Sequence, residues 1–189
     1  MDELILDDNL TNSEVTLENV TFAGFWIRVG ASLVDALIML PIIGFSVYNS
    51  LIIKSLPLML LLSVIAFLYK PYLEWKKSAT FGKLAVGIRV VDYSMNNISL
   101  DQAIKRYFPW IGSFLISMTM NLILFTSEEF KNVDEFMELG LLLKESPIDS
   151  ISSIYNLVFI IVLGAVIFDK RKQGFHDQYA ETYCITKSS

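Results

Sequence analysis

The chain has 189 residues, 53% of them apolar and 19% charged, with a net charge of −5. Soluble domains carry about 25% charged residues, so the balance points to a membrane protein. The nine Gly, five Pro and one Cys exclude collagen-like repeats and a disulfide scaffold. The acidic balance excludes nucleic acid as a partner, since its phosphates need a basic face.

The first 20 residues hold six acids (Asp2, Glu3, Asp7, Asp8, Glu14, Glu18) and no Lys or Arg. A signal peptide starts with the opposite charge, so residues 1–20 read as an acidic, solvated tail. Residues 21–187 read as one transmembrane domain. Crossing ~30 Å of hydrocarbon takes about 20 apolar residues. Four runs reach or approach that length: 22–48, interrupted by Arg28 and Asp35; 56–75, with Lys70 and Glu74 near its end; 107–126 and 151–168, both without formal charge. The predicted fold class is an all-α membrane protein: a four-helix transmembrane bundle with a small cytoplasmic β element.

Eleven of the 15 Lys and Arg fall at the end of run two, between runs two and three, or after run four. Lys54, Lys131 and Lys144 fall on the other side. Basic loops stay in the cytoplasm, and Asp and Glu contribute little to that rule. The expected arrangement is a multi-pass plasma-membrane protein with both termini cytoplasmic.

The inner link, 76–106, is too long for a plain connector. Its β-branched stretch 87–92 predicts a strand, followed by a turn over 93–97 and a short return strand at 98–100. Ser99 with Gln102 fits a capping box that opens the next helix. A second strand over 182–186 would pair with 87–92. In the acidic outer loop, Thr126 with Glu129 fits another capping box. Phe130, Val133, Met137 and Leu141 recur at helical spacing, which predicts an amphipathic surface helix ending before Ser146-Pro147.

Arg28 and Asp35 are the sharpest local signal. Each costs about 2.5–3.5 kcal/mol at the centre of a spanning helix. Seven residues apart, they share a face, separated by about 10.5 Å along the axis. Two readings stay open: an ion or proton site facing the bundle interior, or internal pairing that locks helix one to its neighbours. Arg28 can also snorkel to the inner interface. Asp177, just after run four, is placed to pair with Arg28 across the inner rim. Arg28, Asp35 and Asp177 are thus expected to form one polar cluster, with His176, Asp169, Asn121 and Asn156 as secondary candidates. His176 is the chain's single His. One His with one acid is too little for zinc, and neither a metal nor a cofactor is expected. Cys184 reads as a small buried apolar residue. There is no HExxH, nucleophile elbow or phosphate loop, so no enzyme is expected.

Three segments together resemble the RDD family of membrane proteins, named for an Arg near the start of its first helix, an Asp in the middle of that helix, and a second Asp. They are Gly24 to Asp35, Thr80 to Asp92, and Lys172 to Thr182. The resemblance spans about residues 22–186 and makes Asp177 the second Asp. The long acidic outer loop and the turn at 93–97, where relatives often carry Gly, depart from the pattern. The resemblance implies the bundle fold and a transport role, which in some members is cation/proton exchange. A transporter of this kind would work in the lipid bilayer on a monovalent cation or proton, and since four spans are few for a full pathway, a homo-oligomer or a membrane-protein partner is expected. The alternative is a non-transporting accessory or scaffold protein whose charges are structural.

Overall fold

Three of the four apolar runs become helices long and apolar enough to cross a membrane. The computed structural model describes residues 20–186, so the acidic tail predicted over 1–20 lies almost wholly outside them. Helix α1 (Phe25–Tyr48) contains Pro41 and gives way to a π-helical segment at Asn49–Ile53, together 29 residues. Helix α2 (Leu56–Lys77) opens on Ser55, whose hydroxyl accepts from the Leu58 amide. A short helix α3 (Phe81–Ala85) and strand β1 (Ile88–Asp92) follow. Helix α4 (Leu100–Thr126) begins at the predicted capping box. Ser99 Oγ accepts from Gln102 N at 3.2 Å, and Gln102 Oε1 accepts from Ser99 N at 2.9 Å.

The fourth run is helix α6 (Asp149–Gly164), 16 residues long and preceded by α5 (Phe136–Glu145). At 1.5 Å per residue α6 reaches about 24 Å, short of the ~30 Å of hydrocarbon. One 3-10 turn, Ala165–Ile167, extends it. Helix α7 (Phe175–Tyr179) and strand β2 (Thr182–Thr186) close the chain.

The two strands pair antiparallel, with Val90 opposite Cys184. The segment entering α1 runs along the free edge of β2: Ala23 N donates to Cys184 O at 2.8 Å, and Thr186 N donates to Thr21 O at 2.9 Å. The predicted return strand at 98–100 does not form. A single bridge joins Val91 to Asn97. The Asp92 carboxylate accepts from the amides of Ser94 and Asn96, tightening the turn, and Ser99 is used as the cap of α4.

Buried apolar residues collect at the two ends of the bundle. At the capped end, Ala23, Ala31, Ile88, Val90, Ile98 and Cys184 form one cluster between the sheet and the helices. At the other end, Leu124, Phe130, Val133 and Leu139 form a second. Between them the helices present exposed apolar side chains, Leu37, Leu61, Leu115 and Ile161 among them. This is the arrangement a hydrocarbon solvent allows and water does not.

The loop after α4 differs from its prediction. Thr126 does not open a helix, because its hydroxyl donates back to Leu122 O at 2.7 Å within α4. Ser127 Oγ caps instead, accepting from Phe130 N. A 3-10 turn at Glu129–Asn132 and extended backbone at Val133 then break the predicted helix in two. Phe130 and Val133 are buried, whereas Met137 and Leu141 are exposed.

Candidate functional site

Three carboxylates are buried at the capped end, Asp177, Asp35 and Glu74, and the first two organise the site. The first is Asp177, at the third position of α7, fully buried. Its Oδ2 accepts from Gly174 N at 2.9 Å, tying down the start of its own helix. Two arginines complete its shell: Arg28 Nη1 lies 2.5 Å from Oδ2 and Arg106 Nη1 lies 2.5 Å from Oδ1. The rest of Arg28 is also held. Its Nε donates to Ala23 O at 2.9 Å and its Nη2 to Lys172 O at 2.6 Å. Arg106 continues the chain, with Nε 2.9 Å from Glu74 Oε2, and it also donates to Thr182 Oγ1. Glu74 in turn holds Lys83 Nζ at 2.5 Å. The order Arg28, Asp177, Arg106, Glu74, Lys83 alternates in sign. It links α1, α7, α4, α2 and α3, and such charge-assisted bonds are the strong ones.

The second carboxylate is Asp35, 4% exposed. It does not pair with Arg28. Its Oδ1 accepts from Tyr69 OH at 2.8 Å and from Gly82 N at 2.7 Å, and its Oδ2 accepts from Thr80 Oγ1 at 2.6 Å. Thr80 is also the N-cap of α3, accepting from Lys83 N. The socket depends on Gly82, since a Cβ there would sit 2.0 Å from Ala31 O and 2.7 Å from Asp35 Cγ. Only a bare backbone lets α3 approach α1 closely enough for its amide to reach the carboxylate.

The expected single cluster is therefore two sites. Arg28 and Asp177 come together and Asp35 stands apart. The two side chains on one face of α1 diverge because each finds nearer partners on different elements than the other offers across two turns.

His176 is buried beside Asp177, its Nε2 3.3 Å from Oδ1 and its ring edge-on to Trp110. Its Nδ1 has no hydrogen-bond partner among the described residues. Burial lowers its pKa to about 4; Asp177 pulls the other way, while Arg106, Arg28 and Lys83 add to the lowering. It is therefore neutral at pH 7. Burial alone would raise the Asp177 pKa, but Arg106 and Arg28 hold it well below the usual carboxylate range. The remaining secondary candidates lie elsewhere. Asp169 accepts from the amides of Arg171 and Gln173 in a turn. Asn121 is buried near the far end of α4, and Asn156 is exposed on α6.

Two of the cavities among the described residues share a wall. One, about 620 Å³, lies at the capped end and is lined by Arg28, Asp35, Lys70, Glu74, Lys83 and Arg106 among apolar residues. The other, about 510 Å³, lies toward α5 and is lined by Ser46, Ser50, Ser63, Ser113, Ser117 and Asn121. Tyr107 and Trp110 border both, with their rings stacked 5.1 Å apart.

Glu74, Arg106, Lys83, Thr80 and Tyr69 were not among the predicted site residues. Glu74 carried a usable signal, as an acid within an apolar run that must find a partner. Arg106 and Lys83 were hidden among the basic residues that set orientation. Thr80 and Gly82 lie in the segment that carries the family resemblance, which did not say what they touch, and Tyr69 is neutral and carried none.

Three membrane-length helices, a two-stranded cap and a buried chain of charges between them define a helical protein of membrane type. The chain belongs to the RDD family, whose model matches residues 22–181. It is similar to the uncharacterized protein YxaI of Bacillus subtilis (strain 168), at 33% identity over 50% of this chain and 79% of that protein. No solved structure matches it.

Proposed function

We propose that this is a four-span protein of the plasma membrane, with α6 and its 3-10 extension as the fourth span and both termini in the cytoplasm. On this reading it is a non-enzymatic, non-transporting accessory or scaffold protein. Its charge chain holds a folded cytoplasmic cap onto the bundle, and its partner is a second copy or another membrane protein. The observation that carries this is the saturation of all three carboxylates. A cation entering at Asp177 must displace an arginine, and one entering at Asp35 must displace three donors. The expected result in proteoliposomes is no flux from folded wild-type protein under Na⁺, K⁺ or Li⁺ gradients. A pH-dependent flux that Asp35→Asn abolishes in stable protein overturns it. The topology is tested separately: a Cys introduced at the exposed Met137 should react with an impermeant reagent in intact cells.

A second reading, a cation/proton exchanger centred on Asp35, draws on the two cavities. They meet at Tyr107 and Trp110, and Asp35 borders one of them. A proton or monovalent cation would then pass between them when the aromatic pair parts.

A further inference from the structure

Four cations line the cavity at the capped end, Arg28, Lys70, Lys83 and Arg106, against two carboxylates, Asp35 and Glu74. Asp177, behind the arginines, supplies a third. Every cation but Lys70 is in a salt bridge with one of these acids. The oxygens of Glu74 are held by Lys83 and Arg106, and those of Asp35 by Tyr69, Thr80 and Gly82. Among the described residues Lys70 therefore has no salt-bridge partner, although a charge held among apolar walls needs one.

The rest of the wall is apolar, and Leu33, Ile160 and Ile167 border the cavity while being exposed on the outside of the bundle. The cavity therefore opens sideways between α1 and α6, toward the surroundings those apolar faces require. Its volume falls within the roughly 300–1,000 Å³ of small-molecule sites. We infer that this cavity is a binding site for an anionic phospholipid, whose phosphate sits on Lys70 and whose acyl chains leave between α1 and α6.

The proposal rests on reading α1, α2 and α6 as membrane spans, and it is independent of whether the charge chain is structural. The test uses full-length protein purified in detergent, with dioleoylphosphatidylglycerol, dioleoylphosphatidylcholine and inorganic phosphate as probes. Binding is followed by native mass spectrometry and thermal unfolding. Phosphatidylglycerol should bind at least tenfold more tightly than phosphatidylcholine and raise the melting temperature, and inorganic phosphate should do neither. Lys70→Gln should erase the tenfold preference. In lipid-free detergent it should melt no lower than wild type, because it removes an uncompensated cation. Equal binding of the two lipids, an undiminished preference in Lys70→Gln, or protection by inorganic phosphate alone would each overturn the proposal. Failure of the labelling result at Met137 would instead sink the span assignment.

Discussion

Asp177 and Asp35 are carboxylates sealed at the same end of one bundle, and the chain solvates them in opposite ways. Asp177 sits between two guanidinium groups, so charge meets charge. Asp35 sits among a phenol, a hydroxyl and a backbone amide, all neutral. The first arrangement draws on α1, α4 and α7 and fails as a unit, since each ion left alone is costly. The second draws on α1, α2 and the start of α3 and degrades one hydrogen bond at a time. Buried acids thus carry different liabilities according to what surrounds them.

The largest expected effect is at the ionic site. Asp177→Asn leaves Arg28 and Arg106 facing a neutral amide and should cost about 3–5 kcal/mol, read as a lowered melting temperature in detergent. If it costs less than Asp35→Asn, the contrast between the sites collapses.

Acid should act through the same site. The pKa of His176 falls from 6.5 to about 4 on folding, so the unfolded chain binds the proton first and stability drops as pH falls from about 6.5 to 4. The loss is on the order of 3 kcal/mol at 1.36 kcal/mol per unit. Asp177, whose pKa is depressed, adds stability that is present above the ordinary carboxylate range near 3.9. That contribution is lost only at more acid pH, as the pH falls toward its folded value. His176→Phe should flatten the upper window and leave the lower one. Melting curves from pH 7 to 4 that coincide for the two proteins would remove His176 from this account.

Steric and neutral changes should be smaller. Gly82→Ala forces α3 away from α1, at about 1–3 kcal/mol, and removes the amide from Asp35. A crystal or cryo-EM structure of that variant with the backbone nitrogen of residue 82 still 2.7 Å from Asp35 Oδ1 would be the contrary finding. Thr80→Val takes one neutral donor from Asp35 and the cap from α3, and should cost about 1–2 kcal/mol. Unfolding by denaturant should place it above Asp177→Asn in stability.

The local parts of this structure were legible because they depend on neighbours in sequence. Ser99 and Gln102 are three residues apart and close their box within one turn. The β-branched run around Val90 marks a strand, and 182–186 was a candidate to pair with it. The site was only half legible. The incongruity of Arg28 and Asp35 in an apolar run said that both need partners. Helical spacing, however, reports which face a side chain occupies and not which element lies against that face. Asp177 could be matched to Arg28 through the motif it closes. No periodicity could bring the Gly82 amide to Asp35, because the socket is made by a missing side chain. Thr126 misled because its hydroxyl had a carbonyl one turn behind it as well as an amide ahead.

The bond between Arg28 and Asp177 joins residues 149 positions apart. During synthesis at about 5–20 residues per second, some 7–30 s separate their emergence from the ribosome. Through that interval α1 holds an arginine whose acid does not yet exist, and α4 later adds another. A chain cut before Gly174 keeps its three membrane-length helices but lacks α7 and β2, and with them the acid that these cations share. Docking of α7 and β2 is therefore the step that gives the two arginines their shared acid.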